Sequence, residues 1–196
     1  MNSAQQKLAD LYRLRELQLA EREAKVEHAR SALLHGEYRT KARANQLAPE
    51  GDWRYWLILA GRGYGKTWTG SRWLIEQALL NDPAEYAVVA PTFGDVRRVC
   101  VEGPSGIIKA LPPGALKFYN KSNGQIYLAN GSVIHMVSAD EPDRSRGLNL
   151  AGCWADEFSS WRYPETWTEG LVPALRIGNP KVCITTTPKP NALLKD

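Results

Sequence analysis

Residues 60–67 read Ala-Gly-Arg-Gly-Tyr-Gly-Lys-Thr, a glycine-rich run that ends in a lysine and a hydroxyl residue. That composition suits phosphate chemistry. Gly61, Gly63 and Gly65 permit backbone conformations in which successive N–H groups, including that of Tyr64, converge on phosphate oxygens. A helix beginning near Thr67 adds a favourable dipole. Lys66 is placed to bridge the β- and γ-phosphates of ATP, and Thr67 offers its hydroxyl to Mg²⁺, a hard cation that takes oxygen ligands. The usual phosphate loop has Gly six positions before the lysine, where this chain has Ala60. Ala tolerates positive φ poorly, so the loop entry is expected to turn differently.

A second constellation lies ninety positions beyond Lys66, where the apolar run Cys153-Trp154-Ala155 ends in Asp156-Glu157. The first acid is assigned to Mg²⁺ and the second to the general base that orients and deprotonates the attacking water. Two carboxylates favour hydrolysis over transfer to a small acceptor. Thr185, Thr186 and Thr187 close the next apolar run. Their hydroxyls are candidates to sense the γ-phosphate, or are simply β-favouring residues at a strand end, and position alone does not choose among them.

The elements that must position these residues follow from periodicity. Residues 56–59 read as a buried strand, 67–80 as a helix stopped by Asn81-Asp82-Pro83, and 86–90 as a second buried strand. This βαβ unit implies parallel strands. Asn123-Gly124 and Asn130-Gly131 are hairpin signals, which predict an antiparallel insertion over 116–139. Parallel strands resume at 152–155 and 182–187. Residues 5–35 lack Gly and Pro and predict one long helix ended by Gly36. Its stripe of Leu8, Leu11, Leu14, Val26, Ala29 and Leu33 reads as one edge packed on the domain, with a coiled-coil or partner-binding helix as the second reading. The expected fold is α/β: a P-loop NTPase of the ASCE type, with a mainly parallel central sheet, helices on both faces, an antiparallel β addition and a long N-terminal helix. It divides into a helical extension, 1–41, and an ATPase domain, 42–196.

Composition sets bounds. With 43% hydrophobic and 23% charged residues, the chain is neither disordered nor low-complexity. No apolar run approaches the roughly 20 residues that span a bilayer, and the polar N-terminus is unlike a signal peptide, so no membrane role is expected. Cys100, Cys153 and Cys183 form no CxxC pair and read as reduced core thiols; His28, His35 and His135 are too scattered for a metal site. Residues 51–196 carry 16 Lys+Arg against 14 Asp+Glu, so charge alone marks no nucleic-acid face. Arg97, Arg98, Lys109, Lys117 and Lys121 are candidate phosphate contacts or an ordinary solvated surface.

Taken in order, the motifs resemble the ATPase domain of the large terminase subunit, the motor that packages DNA into tailed-phage heads. They are Gln46-x-x-Pro49-x-Gly51-Asp52-Trp53, the loop from Gly61 to Thr67, Ala90-Pro91-Thr92, Arg146-Gly147, Asp156-Glu157 and Thr185-Thr186-Thr187-Pro188. The resemblance covers roughly residues 42–192 and leaves out the long helix. It implies that Arg62 reaches phosphates or links to the neighbouring strand, unless it is a surface arginine. It implies an adenine-reading amide at Gln46. It makes Arg146 an arginine finger acting on the adjacent subunit's nucleotide, against the alternative of a loop arginine paired with Asp140 or Asp143. A finger in trans requires a ring, expected as a pentamer on the capsid portal, with double-stranded DNA, portal protein and small terminase subunit as partners. The expected location is the host cytoplasm and, transiently, the procapsid portal vertex. The family's nuclease domain is not expected in this chain, which stops nine residues after Thr187. Two other functions fit parts of the pattern. A helicase-like translocase requires a second lobe, for which 196 residues leave no room, and a nucleotide-binding assembly module without hydrolysis is separated by ATP turnover.

Overall fold

The apolar runs form one seven-stranded sheet in the computed structural model, which describes residues 3–189. Residues 190–196, the end of the expected 42–196 domain, and residues 1–2 lie outside the described residues. The strands are β1 (Tyr55–Leu59), β2 (Glu85–Ala90), β3 (Leu116–Asn120), β4 (Gln125–Leu128), β5 (Val133–Ser138), β6 (Leu150–Asp156) and β7 (Lys181–Thr186). Their order is β1-β7-β6-β2-β5-β4-β3. The first five in that order run parallel, and β7 is inserted between the strand before the glycine loop and the strand ending in the acid pair. Strands of one direction end on one edge, so residues 60–67, 156–157 and 187 meet there.

Two sequence expectations are corrected here. The antiparallel addition is only β3 and β4, because β5 pairs antiparallel with β4 on one side and parallel with β2 on the other. Gly124 at φ +65° and Gly131 at φ +106° make the two turns that allow this. Nor is β1 a fully buried strand. It is the edge of the sheet, with Trp56 and Ile58 buried against the helix side while Tyr55, Leu57 and Leu59 are 46%, 47% and 51% exposed on the other.

Strand alternation builds two cores. One face carries Tyr86, Val88, Ala90, Trp154 and Cys183 against α3 (Lys66–Leu80), whose Trp73, Leu74, Ile75, Ala78 and Leu79 are fully buried. The opposite face carries Ala87, Val89, Cys153, Ala155, Val182 and Ile184 against Phe158, Trp161, Leu171 and Leu175, so helical segments cover both faces. Truncating a buried leucine in such a layer costs about 2–5 kcal/mol.

The C-terminal carbonyls of α3 would be orphaned without outside donors. Tyr86 Oη donates to Gln77 O, Asn130 Nδ2 and Ser132 Oγ donate to Ala78 O, and Arg30 Nε donates to Leu79 O at 2.8 Å. Arg30 belongs to the long helix α1 (Ser3–Leu34), which thereby docks by its second half: Ala29 and Leu33 are buried, and Arg22 Nε donates to Ala129 O. The expected packed edge is thus corrected: Leu8, Leu11 and Leu14 in the first half of the stripe are exposed, because only the second half of the helix lies against the sheet domain. The short α2 (Glu37–Lys41) follows and adds a buried Tyr38 and the ion pair Arg39–Glu76.

Candidate active site

Gly65 sets the loop geometry. At φ +94° and ψ +26° it adopts the left-handed conformation, which lets α3 start at Lys66, and a Cβ there would lie 2.8 Å from Gln46 Nε2. Gly63 is also left-handed, whereas Ala60 needs no positive φ; its N–H donates to Thr186 O and so extends the β1–β7 ladder. Lys66 is buried, with Nζ donating to Ala60 O and Thr187 Oγ1, both at 3.0 Å, and to Gly61 O at 3.3 Å. The same ammonium lies 3.5 Å from Glu157 Oε1. Thr67 follows in the first turn of α3.

Glu157 is the one non-glycine residue with positive φ among the described residues, at φ 46° and ψ 44°. Such a conformation costs about 1–2 kcal/mol and persists where the surroundings enforce it. Here it turns the carboxylate back across the strand ends. Thr187 donates to it twice, from Oγ1 to Oε1 at 3.1 Å and from its backbone N–H to Oε2 at 3.3 Å. Lys66, Thr187 and Glu157 therefore form a closed triangle of contacts.

Asp156 is buried. Burial pushes its carboxyl above the usual range, aided by the nearby Glu157 charge, while hydrogen bonds from Thr185 and Cys100 act against the rise. Thr185 Oγ1 donates to Oδ1 at 2.6 Å and Cys100 Sγ to Oδ2 at 3.4 Å. The structure thus separates the three threonines. Thr187 faces the cleft and Thr185 faces Asp156. Thr186 is not brought to the cleft: its buried hydroxyl accepts from Ser159 N on the opposite face of the sheet, because alternate residues of β7 point to opposite sides.

A cleft of about 330 Å³ is lined by Arg62, Asp156, Glu157, Thr187 and Lys189, together with Asp95. A larger recess of about 610 Å³ lies at the other end of the strands, around Glu76, Tyr86 and Lys181, remote from the glycine loop. Asp156 and Thr67 are oxygen donors only, and no cluster of three metal-ligating side chains exists among the described residues. Such a donor set fits Mg²⁺, which protein sites hold with one or two carboxylates plus substrate phosphates.

Gln46 is buried beside the loop. Its Nε2 donates to Tyr64 O at 3.1 Å and its Oε1 accepts from Arg43 N at 3.2 Å, so the amide first of all ties the preceding segment to the phosphate loop. Arg43 reinforces the tie by stacking its guanidinium on the Tyr64 ring, 4.7 Å from the centroid, and donating to Tyr64 O. Neither Arg43 nor the Cys100 contact was legible in the sequence, since neither lies in a motif.

Arg146 does not line this cleft. It follows the turn Pro142–Ser145 after β5 and is ion-paired with Asp143 at 3.0 Å and Glu169 at 3.1 Å. Of the basic residues considered for DNA, Arg97 and Lys121 both pair with Glu102, and Arg98 lies 3.9 Å from Asp95. No helix among the described residues is long and apolar enough to cross a membrane.

Comparison with known proteins bears on the fold and the family. No curated protein sequence matches the chain. The ATPase domain of the large terminase of Thermus phage P74-26 superposes with a TM-score of 0.58 at 19% identity, over 69% of this chain and 60% of that one. The large terminase of a thermophilic bacteriophage superposes with a TM-score of 0.57 at 14% identity, over 82% of this chain and 38% of that one. The same phage protein in complex with ADP gives a TM-score of 0.56 at 16% identity, over 81% of this chain and 38% of that one. The chain thus spans less than two thirds of each of these proteins. A family model described as terminase large subunit, T4likevirus-type, N-terminal, matches residues 57–196, and the chain belongs to that family.

Proposed function

We propose that this chain is the ATP-hydrolysing motor domain of a large terminase, using Mg·ATP to drive double-stranded DNA into a procapsid. The observation that carries this reading is the convergence of Lys66, Glu157, Thr187 and Asp156 at the ends of three adjacent parallel strands. A structural neighbour crystallised with ADP adds support for a nucleotide as ligand.

The chemistry assigned to each residue follows from its place. The loop N–H groups and Lys66 take the phosphates, with Arg62 at the cleft wall. Thr67 and Asp156 would hold Mg²⁺, which would supply neutralisation of the charge on the phosphates. Glu157 accepts the proton of the attacking water, and its backbone turn brings the carboxylate toward the phosphate side. Thr187 touches both the phosphate-binding lysine and the base, so it is the threonine placed to register loss of the γ-phosphate. Arg146 lies outside its own chain's cleft and acts on the nucleotide of a neighbour in a ring at the portal. The portal protein and small terminase subunit complete the assembly, in the host cytoplasm.

Steady-state Mg·ATP hydrolysis, measured over a series of protein concentrations with and without duplex DNA, tests this. Turnover that rises more than linearly with protein concentration and is stimulated by DNA is the expected result. Tight nucleotide binding with no turnover by the assembled ring would reject the motor in favour of a nucleotide-binding assembly module.

A further inference from the structure

Gly70 lies one turn beyond Thr67 in the middle of α3, where glycine costs about 1 kcal/mol relative to alanine. The reason for it is an indole. A Cβ at Gly70 would sit 2.2 Å from both Nε1 and Cε2 of Trp154, a fully buried residue of β6. The Trp154 Nε1–H donates to Thr185 Oγ1 on β7 at 2.8 Å. An indole N–H is a donor only. The contact therefore occupies a lone pair of the hydroxyl and leaves its proton to be given onward. The short acceptor is Asp156 Oδ1, at 2.6 Å; the other one, Ala155 O, is 3.4 Å away.

We infer that Trp154 and Thr185 are positioning residues for the metal-holding carboxylate. The indole sets the direction of the Thr185 hydroxyl, and the hydroxyl, donating to Oδ1, fixes the orientation of the Asp156 carboxylate that would hold Mg²⁺. Gly70 is the space that admits the indole. This rests on the assignment of Asp156 to Mg²⁺ made above. Hydrogen bonds to a ligating carboxylate fix its orientation, and losing such a partner typically weakens metal affinity by about 10–100-fold. A buried hydroxyl whose polarity is set from behind does this better than a free rotor, which can turn its proton toward the backbone.

The test is the Mg²⁺ dependence of binding of a fluorescent ATP analogue, with an EDTA arm to give the Mg-free affinity and a thermal melt for each variant. Thr185→Val is expected to raise the Mg²⁺ concentration for half-saturation roughly ten-fold or more. Thr185→Ser, which keeps the hydroxyl, is expected to stay near wild type. Trp154→Phe removes the N–H together with part of the buried ring, and Gly70→Ala displaces the indole; both are expected to raise the half-saturation several-fold with the Mg-free affinity unchanged, and the thermal melt reads the packing loss separately. If Gly70→Ala does not fold, Trp154→Phe and Thr185→Val carry the test. Wild-type Mg²⁺ dependence in those two, beside its loss in Asp156→Asn, would overturn the relay and leave the metal assignment standing. So would lower melting and weaker Mg-free binding with the Mg²⁺ midpoint unmoved. An unchanged Mg²⁺ midpoint in Asp156→Asn would instead overturn the metal assignment itself.

Discussion

Glu157→Gln is expected to act in opposite directions on ATP binding and on turnover. Glu157 Oε1 lies 3.5 Å from the ammonium of Lys66, the group that takes the phosphates in the proposed function. Two unit charges at that separation attract by about 1 kcal/mol in water and about 5 kcal/mol at an effective dielectric near 20. Glu157 is 35% exposed and Lys66 keeps Thr187 and two carbonyls as partners, so the lower part of that range applies, about 1–2 kcal/mol. Glutamine keeps the shape and an acceptor for Thr187 but lacks the charge. It also lacks the repulsion between carboxylate and triphosphate. ATP should therefore bind roughly five- to thirty-fold more tightly. Hydrolysis should fall by about 10²–10⁴-fold, the usual contribution of a positioned base. Equilibrium titration with a fluorescent ATP analogue reads the first effect, and phosphate release at saturating Mg·ATP reads the second. Weaker binding would refute the competition between Glu157 and phosphate for Lys66, and wild-type turnover would refute Glu157 as the base.

Three other perturbations separate parts of the site. Gly65→Ala forces a Cβ into a left-handed position against Gln46 Nε2, so it should cost about 1–2 kcal/mol of stability and abolish nucleotide binding, read by thermal melting and titration. Arg146→Ala should bind ATP as a single chain as wild type does, yet lose the ATPase component that rises with protein concentration; a wild-type rate in an assembled ring would remove Arg146 as a finger acting in trans. Arg39→Ala strips the ion-pair partner from Glu76, whose carboxyl burial already pushes upward against the lowering effect of Arg39. The variant should lose about 1–3 kcal/mol at neutral pH, discounted because Arg39 is half-exposed. A carboxyl raised in the folded state destabilises as pH rises from the unfolded value through the folded one. The deficit should therefore shrink as pH falls toward 4.5, the ordinary value for Glu, and a deficit constant between pH 8 and pH 5 would contradict it.

Much of the site was legible because its chemistry is local in sequence. The loop from Gly61 to Thr67 carries its own glycines, lysine and hydroxyl, as a loop whose consecutive N–H groups wrap one ligand in the proposed function must. The acid pair must end an apolar strand, so Asp156 and Glu157 were readable beside Cys153-Trp154-Ala155. The N-terminal helix was equally readable, because thirty residues without Gly or Pro leave few other conformations.

Strand order was not local, and it decided the rest. The run 55–59 is apolar on both faces, which looks like an interior strand, yet pairing on one side only makes it an edge. Residues 133–138 follow a hairpin signal, but their second partner, β2, lies far back in the chain and turns them into part of the parallel core. The threonine triplet shows the division most plainly. Composition supplied three equivalent hydroxyls; only the pleat of β7 between β1 and β6 sends Thr185 to Asp156, Thr186 to Ser159 and Thr187 to Lys66 and Glu157. A hydroxyl acquires a role from the group it faces, and which group that is depends on sheet pairing between segments distant in sequence.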